Sequence, residues 1–187
     1  MKLNLGCGFK KREGWVNTDV ESECNPDIEM DLEKFPWPFD DNSCDEILLE
    51  HVLEHVGADI NVHKMIMQEL YRIAKPGAKI SIIVPHPRSD SFLADPTHVR
   101  PIIGSTLEMY SKKNCKIFIE KQWATTPLAI YWNIDFELTN CKHNFMPEWL
   151  DKIRNKEIGL EQIASAIKHN NNVVDFTEFT LKAVKEA

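Results

Sequence analysis

The sequence predicts an α/β protein: a doubly wound, mostly parallel sheet with an antiparallel hairpin at its C-terminal edge. Three observations carry this. Short apolar runs alternate with loops and one helical pattern through the first half, as in parallel sheets. The first run, Lys2-Leu3-Asn4-Leu5, ends in Gly6-Cys7-Gly8, where the lack of a Cβ lets backbone turn tightly and approach a ligand. Two longer apolar segments near the C-terminus, separated by helical candidates, fit an edge pair.

Taken in order, strands are expected over about 2–5, 15–19, 28–30 and 44–49, the last ending at Glu50-His51. Prolines and Asx residues mark 36–42 as loop. Ile60, His63, Met67, Leu70, Tyr71 and Ala74 fall near helical spacing, so a helix is expected over 59–74, stopped by Lys75-Pro76-Gly77. Residues 79–84 form the clearest buried strand. Further strands are expected over 130–138 and 173–184, with helices over 147–154 and 159–169 between them. Only residues 6–14 separate the first two strands, short of the dozen or more that a parallel crossover usually takes. Glu13-Gly14 also interrupts any helix there. The first crossover is therefore expected to be a single turn or an irregular loop.

Composition bounds the function. At 187 residues the chain is read as one domain, 1–187. A net charge of −7 argues against a general binder of nucleic-acid phosphates. The basic run Lys10-Lys11-Arg12 is read as a solvated loop. No stretch is long and apolar enough to span a membrane, and Met1-Lys2-Leu3-Asn4 lacks a signal-peptide core. A cytoplasmic protein with no membrane partner is expected. Cysteines 7, 24, 44, 115 and 141 are scattered and form no Cys-x-x-Cys pair, which fits reduced thiols. Cys7 is read as a small packing residue.

Asp19 closes the second strand, where α/β nucleotide folds hold a ribose diol. With the glycine loop it points to a nucleoside-containing cofactor. The third small residue of the dinucleotide fingerprint is replaced by Lys11, which disfavours a nicotinamide or flavin.

Leu3-Asn4-Leu5-Gly6-Cys7-Gly8, Asp19, Asp31-Leu32, Asp45 to His55 and Leu70-Tyr71-Arg72-Ile73-Ala74-Lys75-Pro76-Gly77 occur in the order found in class I S-adenosylmethionine-dependent methyltransferases. The chain resembles that Rossmann-like family in detail over 2–85 and more loosely beyond, and looks most like its small bacterial members. The resemblance implies S-adenosylmethionine as cofactor. It places Asn4, Gly6, Cys7 and Gly8 at the methionine part, Asp19 on the ribose, and Asp31 with the Leu32 backbone on the adenine edge. Glu50 and His51 would border the sulfonium. Asn4 stands where the family often has a carboxylate, so charge that would attract a cationic ligand is missing.

The segment after the fifth strand is polar and long, and 86–129 is read as the acceptor-binding lid. With the first strand starting at residue 2, the acceptor cover is expected from 86–129, from 140–170, or from a partner chain in a possible homodimer. Methyl transfer needs alignment of the acceptor, exclusion of water and, for oxygen or nitrogen, a base. His98 is the first candidate for base or acceptor contact and His86 the second. Arg100 is a candidate for an anionic substrate group, or a partner of Asp95 in a plain turn. His51 and His55 would share a helix face, with Glu54 misplaced for a zinc-protease motif. A packed or capping pair is preferred, His55 is assigned to substrate contact, and no metal is assigned. Trp123, Tyr131, Trp132, Phe136 and Trp149 suit either an acceptor wall or a core.

The reading is methyl transfer to an oxygen or nitrogen of a small-molecule or glycan-like acceptor. The alternative is a protein that binds S-adenosylmethionine without catalysis, as a sensor or partner subunit. Nucleic acid is disfavoured by the acidity and by Glu50-His51-Val52-Leu53 where an Asn/Asp-Pro-Pro-aromatic motif would stand.

Overall fold

The computed structural model describes residues 1–185. Seven strands form one sheet in the order β3-β2-β1-β4-β5-β7-β6. These are β1 Lys2–Leu5, β2 Val16–Asp19, β3 Ile28–Glu29, β4 Cys44–Glu50, β5 Ala74–Pro85, β6 Phe136–Phe145 and β7 Val174–Ala183. β1 to β5 run parallel, while β7 is antiparallel to both β5 and β6.

Register explains why apolar runs stack. Leu3 pairs with Ile47, Ile47 with Ile80, Ile80 with Leu181, and Leu181 with Leu138. Leu5, Leu49, Ile82 and Phe179 form a second row two residues on. Each of these nine but Leu138 is essentially inaccessible to water. Side chains alternate across a strand, so both rows face one side of the sheet. That side is covered by α1 Ile60–Ile73 and, after a short α2 Asp90–Leu93 that contributes nothing to the core, by three more short helices, α3 Gly104–Glu108, α4 Lys112–Glu120 and α5 Leu128–Trp132. α1 buries Ile66, Met67, Leu70 and Ile73 against the two rows. Asp59 caps its start by accepting from Asn61 N–H at 2.6 Å.

The opposite row, Asn17, Asn4, Leu48, Ser81 and Thr180, is polar apart from Leu48. Here the chain winds back through loop 6–15 and a one-turn 3-10 helix, Ser22–Cys24, instead of full helices. The short first crossover is thus irregular. Asn17 organises it: its Oδ1 accepts from Arg12 N–H at 2.7 Å, and its Nδ2 donates to the Arg12 and Trp15 carbonyls and to Asp27. α6 Pro147–Arg154 and α7 Leu160–His169 join β6 to β7, packing Ala166 with Val173, Val174, Phe145 and Trp149 in a satellite cluster.

One expected element is corrected. Residues 130–138 are not a strand: α5 occupies 128–132, and only Phe136 onward enters β6. Ala129 and Trp132 are buried while Ile130 and Tyr131 are exposed. That is i, i+3 spacing, and Asn133 ends the turn in the left-handed region at φ 52°. The helix expected to 74 ends at Ile73, because Lys75-Pro76-Gly77 already belongs to a bulged start of β5. The core also takes Ile102, Leu107, Tyr110, Cys115 and Ala129 from within 102–129. Only 86–101 stands at the carboxyl ends of β4 and β5.

Candidate active site

In an open α/β sheet the ligand crevice lies beyond the carboxyl ends, where the chain turns from one side of the sheet to the other. Here that point is between β1 and β4. Gly6 leaves β1 with φ 63° and Gly8 follows with φ 49°. A Cβ on Gly6 would lie 2.5 Å from Val52 Cγ2, so only glycine lets the loop sit against the end of β4. Cys7 N–H donates to the Thr18 carbonyl at 2.8 Å, and Gly8 N–H to Asp19 Oδ2 at 2.7 Å. Cys7 is buried; burial, then the charge of Asp19, raise its thiol pKa, which disfavours a nucleophilic role. Asn4 is buried behind the loop, donating to Asn17 Oδ1 at 3.0 Å and the Lys10 carbonyl at 3.3 Å.

Asp19 also accepts from Glu21 N–H at 3.0 Å. Each oxygen therefore holds one backbone donor, and a carboxylate retains further lone pairs for a diol. Beyond β2 and β3 opens a cavity of about 310 Å³ lined by Val20, Glu29, Met30, Asp31, Lys34, Pro36 and Pro38. Asp31 Oδ1 accepts from Glu33 N–H at 2.9 Å. Leu32 is buried, and its carbonyl accepts from Trp37 Nε1 at 3.1 Å.

Glu50 is engaged across the mouth: Oε1 with Lys10 Nζ at 3.0 Å and Oε2 with Arg12 Nη2 at 3.1 Å. Burial alone would raise this carboxyl, but the two cations outweigh it and hold it below the usual range. The basic run is thus internally paired, with Lys11 on Asp27 at 2.7 Å. His51 has φ 56°, a sparsely populated conformation for a non-glycine, and donates its N–H to the Ile83 carbonyl. Its Nδ1 lies 3.4 Å from Glu54 Oε1, and that carboxylate raises the imidazole pKa against the opposing effect of burial.

His98 and His86 are held in different clusters. His98 stacks on Phe92 and lies 4.6 Å, ring to ring, from His55. Its Nδ1 is 2.7 Å from the Phe92 carbonyl, which can only accept, so Nδ1 carries hydrogen and Nε2 is bare in the neutral ring. His86 sits edge-on to His143, whose Nδ1 meets Thr177 Oγ1 at 3.0 Å. Arg88 N–H donates to His86 Nδ1, so the neutral ring carries its hydrogen on Nε2 and presents a donor there. Burial, then His143 and Arg88, lower its pKa. Arg100 does not pair with Asp95. It turns inward, donating from Nη2 to the Gly57 carbonyl, and its Nε is buried without a hydrogen-bond partner. Asp95 instead accepts from the Thr97 backbone and hydroxyl. Of the five aromatics, Trp132 and Phe136 are core, Trp149 is in the satellite cluster, and Trp123 and Tyr131 are exposed.

Sequence reasoning gave no role to Val52, Asn17 or His143, and read Glu54 only as a misplaced member of a helical motif, because Val99 and His98, which meet the Glu54 turn, lie more than 40 residues away. A larger concavity, about 1220 Å³, is lined by Asp41, Arg72, Lys112, Asp135 and Lys185 among others. It lies at the opposite end of the sheet, where β4 begins and β7 ends, so fold geometry outweighs its size as a guide to the site.

The glycine turn at the β1–β4 switch point, with a carboxylate ending β2, defines a nucleoside-cofactor-binding α/β protein. Known proteins narrow the class. Residues 10–82 match the family model described as "Methyltransferase domain". No curated protein sequence matches the chain. A SAM-dependent methyltransferase from Archaeoglobus fulgidus superposes with TM-score 0.60 at 17% identity, over 97% of this chain and 85% of that one. A second, from Methanosarcina mazei, gives 0.54 at 15% identity, covering 99% and 92%. A [4+2]-cyclase, SpnF, gives 0.56 at 14% identity, covering 99% and 75%. The chain has the class I methyltransferase fold, and family match and fold together support an S-adenosylmethionine-dependent methyltransferase with S-adenosylmethionine as the expected cofactor. No helix among the described residues is long and apolar enough to cross a membrane.

Proposed function

We propose that the protein transfers the methyl group of S-adenosylmethionine to an oxygen or nitrogen of a small-molecule or glycan-like acceptor in the cytoplasm. The observation that carries this reading is the joint between Gly6 and Val52 beside Asp19. It holds a bare backbone turn and a carboxylate at the two places a sulfonium nucleoside needs them. Asn4, Gly6, Cys7 and Gly8 shape the methionine end, Asp19 takes the ribose diol, and the cavity by Asp31 and Leu32 receives the base. Glu50 and His51 border the sulfur.

The acceptor enters over 86–101, where His98 and His55 meet it, with Arg100 supporting the turn from within and His86 offering a donor on the far side. Methyl transfer is an in-line displacement at a carbon already activated by positive sulfur, so alignment and exclusion of water supply most of what the protein must do.

A second reading is S-adenosylmethionine binding without transfer. It is favoured by the amide at Asn4 and by a first crossover that brings no helix dipole to the cofactor. Calorimetric titration with S-adenosylmethionine and S-adenosylhomocysteine, alongside Asp19→Ala, tests the cofactor site; binding lost in the variant supports it. Release of S-adenosylhomocysteine in an acceptor screen separates transfer from binding alone. Absence of binding by the folded wild type would sink both.

A further inference from the structure

We propose that Glu54, His55 and His98 form a binding site for a divalent transition-metal cation. One ligand atom from each lies within 4.8 Å of the other two. Two imidazoles and one carboxylate are a donor set that suits zinc and other first-row divalent ions.

The second observation is independent of that clustering. The Glu54 side chain is 1% exposed, and neither carboxylate oxygen accepts a hydrogen bond from any described residue. The closest cationic candidate is His51 Nδ1 at 3.4 Å. A buried carboxylate without donors is costly unless something positive meets it.

The hydrogen bonds around the two rings point the same way. His98 gives its Nδ1 hydrogen to the Phe92 carbonyl and leaves Nε2 bare. His55 Nδ1 is 2.9 Å from Thr97 Oγ1. The Thr97 hydroxyl hydrogen is already donated to Asp95 Oδ1 at 2.7 Å. The threonine oxygen must therefore accept from His55 Nδ1, and His55 Nε2 is bare as well. Metal-binding histidines are fixed in this way, one ring nitrogen held by an outer acceptor and the other free for the ion. Asp95 Oδ2 is 3.9 Å from His98 Nε2, too far for a hydrogen bond that would use up that lone pair. The His98 side chain is only 7% exposed, so its ring is held in place before a ligand arrives.

The two segments are also tied before any ion arrives. Val99 N–H donates to the Glu54 carbonyl at 2.8 Å, so the histidine from the 86–101 segment is delivered to the turn after β4. Three protein ligands leave coordination positions open for an acceptor oxygen. That consequence rests on the methyl-transfer reading; the site itself does not.

The test uses full-length protein freed of metal by chelator and exchanged into chelator-free buffer, titrated calorimetrically with zinc chloride in the absence of S-adenosylmethionine. Cobalt(II) absorption gives a second readout of nitrogen and oxygen ligation. One zinc per chain is expected, with affinity falling at least about tenfold in each of Glu54→Gln, His55→Ala and His98→Ala. Zinc should raise the melting temperature of the wild type and not of His98→Ala. Cys141→Ser, which removes the exposed thiol, should bind as the wild type does. Circular dichroism establishes that each variant is folded, and Glu54→Gln keeps the shape of the side chain should an alanine variant fail. No zinc binding by the folded wild type would overturn the site. So would binding that survives in all folded ligand variants. Failure here with S-adenosylmethionine binding intact would leave the proposed function standing.

Discussion

Protonation of His63 should make the protein lose stability steeply in mild acid. The side chain is 1% exposed on α1, with Nε2 2.8 Å from the Tyr110 hydroxyl and Nδ1 buried without a hydrogen-bond partner among the described residues. Burial, then the positive charge of Arg100, lower its pKa from 6.5 to about 4. The folded state therefore resists the proton that the unfolded chain accepts. Stability from this residue is complete above pH 6.5 and is lost as pH falls toward 4, because there the unfolded state binds more protons. The gap of roughly 2.5 pH units, at about 1.4 kcal/mol each, amounts to ~3 kcal/mol. That is a large share of the 5–15 kcal/mol typical of a domain. The assay is urea unfolding at pH 7, 5.5 and 4.5 for wild type and His63→Gln, which keeps a polar group near Tyr110 and cannot titrate. The stability difference between the two should move in favour of the variant by ~3 kcal/mol, most of it by pH 4.5. A difference constant within about 1 kcal/mol across that range would refute the argument, since every other titrating group is common to both proteins.

Three further outcomes are expected. Asp19→Asn should weaken S-adenosylmethionine binding by about ten- to a hundredfold, the range for losing hydrogen bonds to a charged group, as read by calorimetry. Gly6→Ala should cost about 2–5 kcal/mol in urea unfolding, from the left-handed backbone and the collision with Val52; adding Val52→Ala should return the steric part only. Arg72→Leu should cost about 3–5 kcal/mol by the same assay. Arg72 donates to Glu69, Asp41 and the Trp37 and Phe39 carbonyls, and its loss leaves the buried Glu69 carboxylate with Trp37 N–H as its recorded donor.

The strands of the first half were legible along the chain because β1, β4 and β5 are apolar runs and glycine, proline or Asx residues mark most of the turns between strands, which local chemistry suffices to read. Ile130-Tyr131-Trp132 was not legible: a short apolar run fits a strand and a helical turn equally, and only tertiary burial of Ala129 and Trp132 decides. At the site, the glycine turn and Asp19 are visible because their spacing is local. Glu50 is visible as a carboxylate ending β4, but its pairing with Lys10 and Arg12 is not, since these partners stand 40 and 38 positions away. Glu54 looked like a misplaced member of a helical His-x-x-x-His pair. The left-handed His51 shows that residues 51–55 are a turn, so helical spacing was the wrong template. The ring that completes the group, His98, arrives from the other side of β5.

The turn from Glu50 to Gly57 joins the cofactor end of the candidate site to the 86–101 segment. Glu50 clasps the cofactor loop through Lys10 and Arg12, and Val52 fixes the position of Gly6. Gly57 N–H donates to Glu33 Oε1 at 2.7 Å, reaching the side where Asp31 and Leu32 stand. The Glu54 and Gly57 carbonyls hold the 86–101 segment through Val99 and Arg100. The 86–101 segment is therefore linked to the loop after β1 through this turn, by hydrogen bonds, ion pairs and the Gly6–Val52 contact rather than by a helix. Coupling of this kind needs no helix in the first crossover. It accounts for how a sheet whose second face is wound by loops can still hold its cofactor turn in one geometry: the constraint comes from the end of β4, the strand beside the crevice.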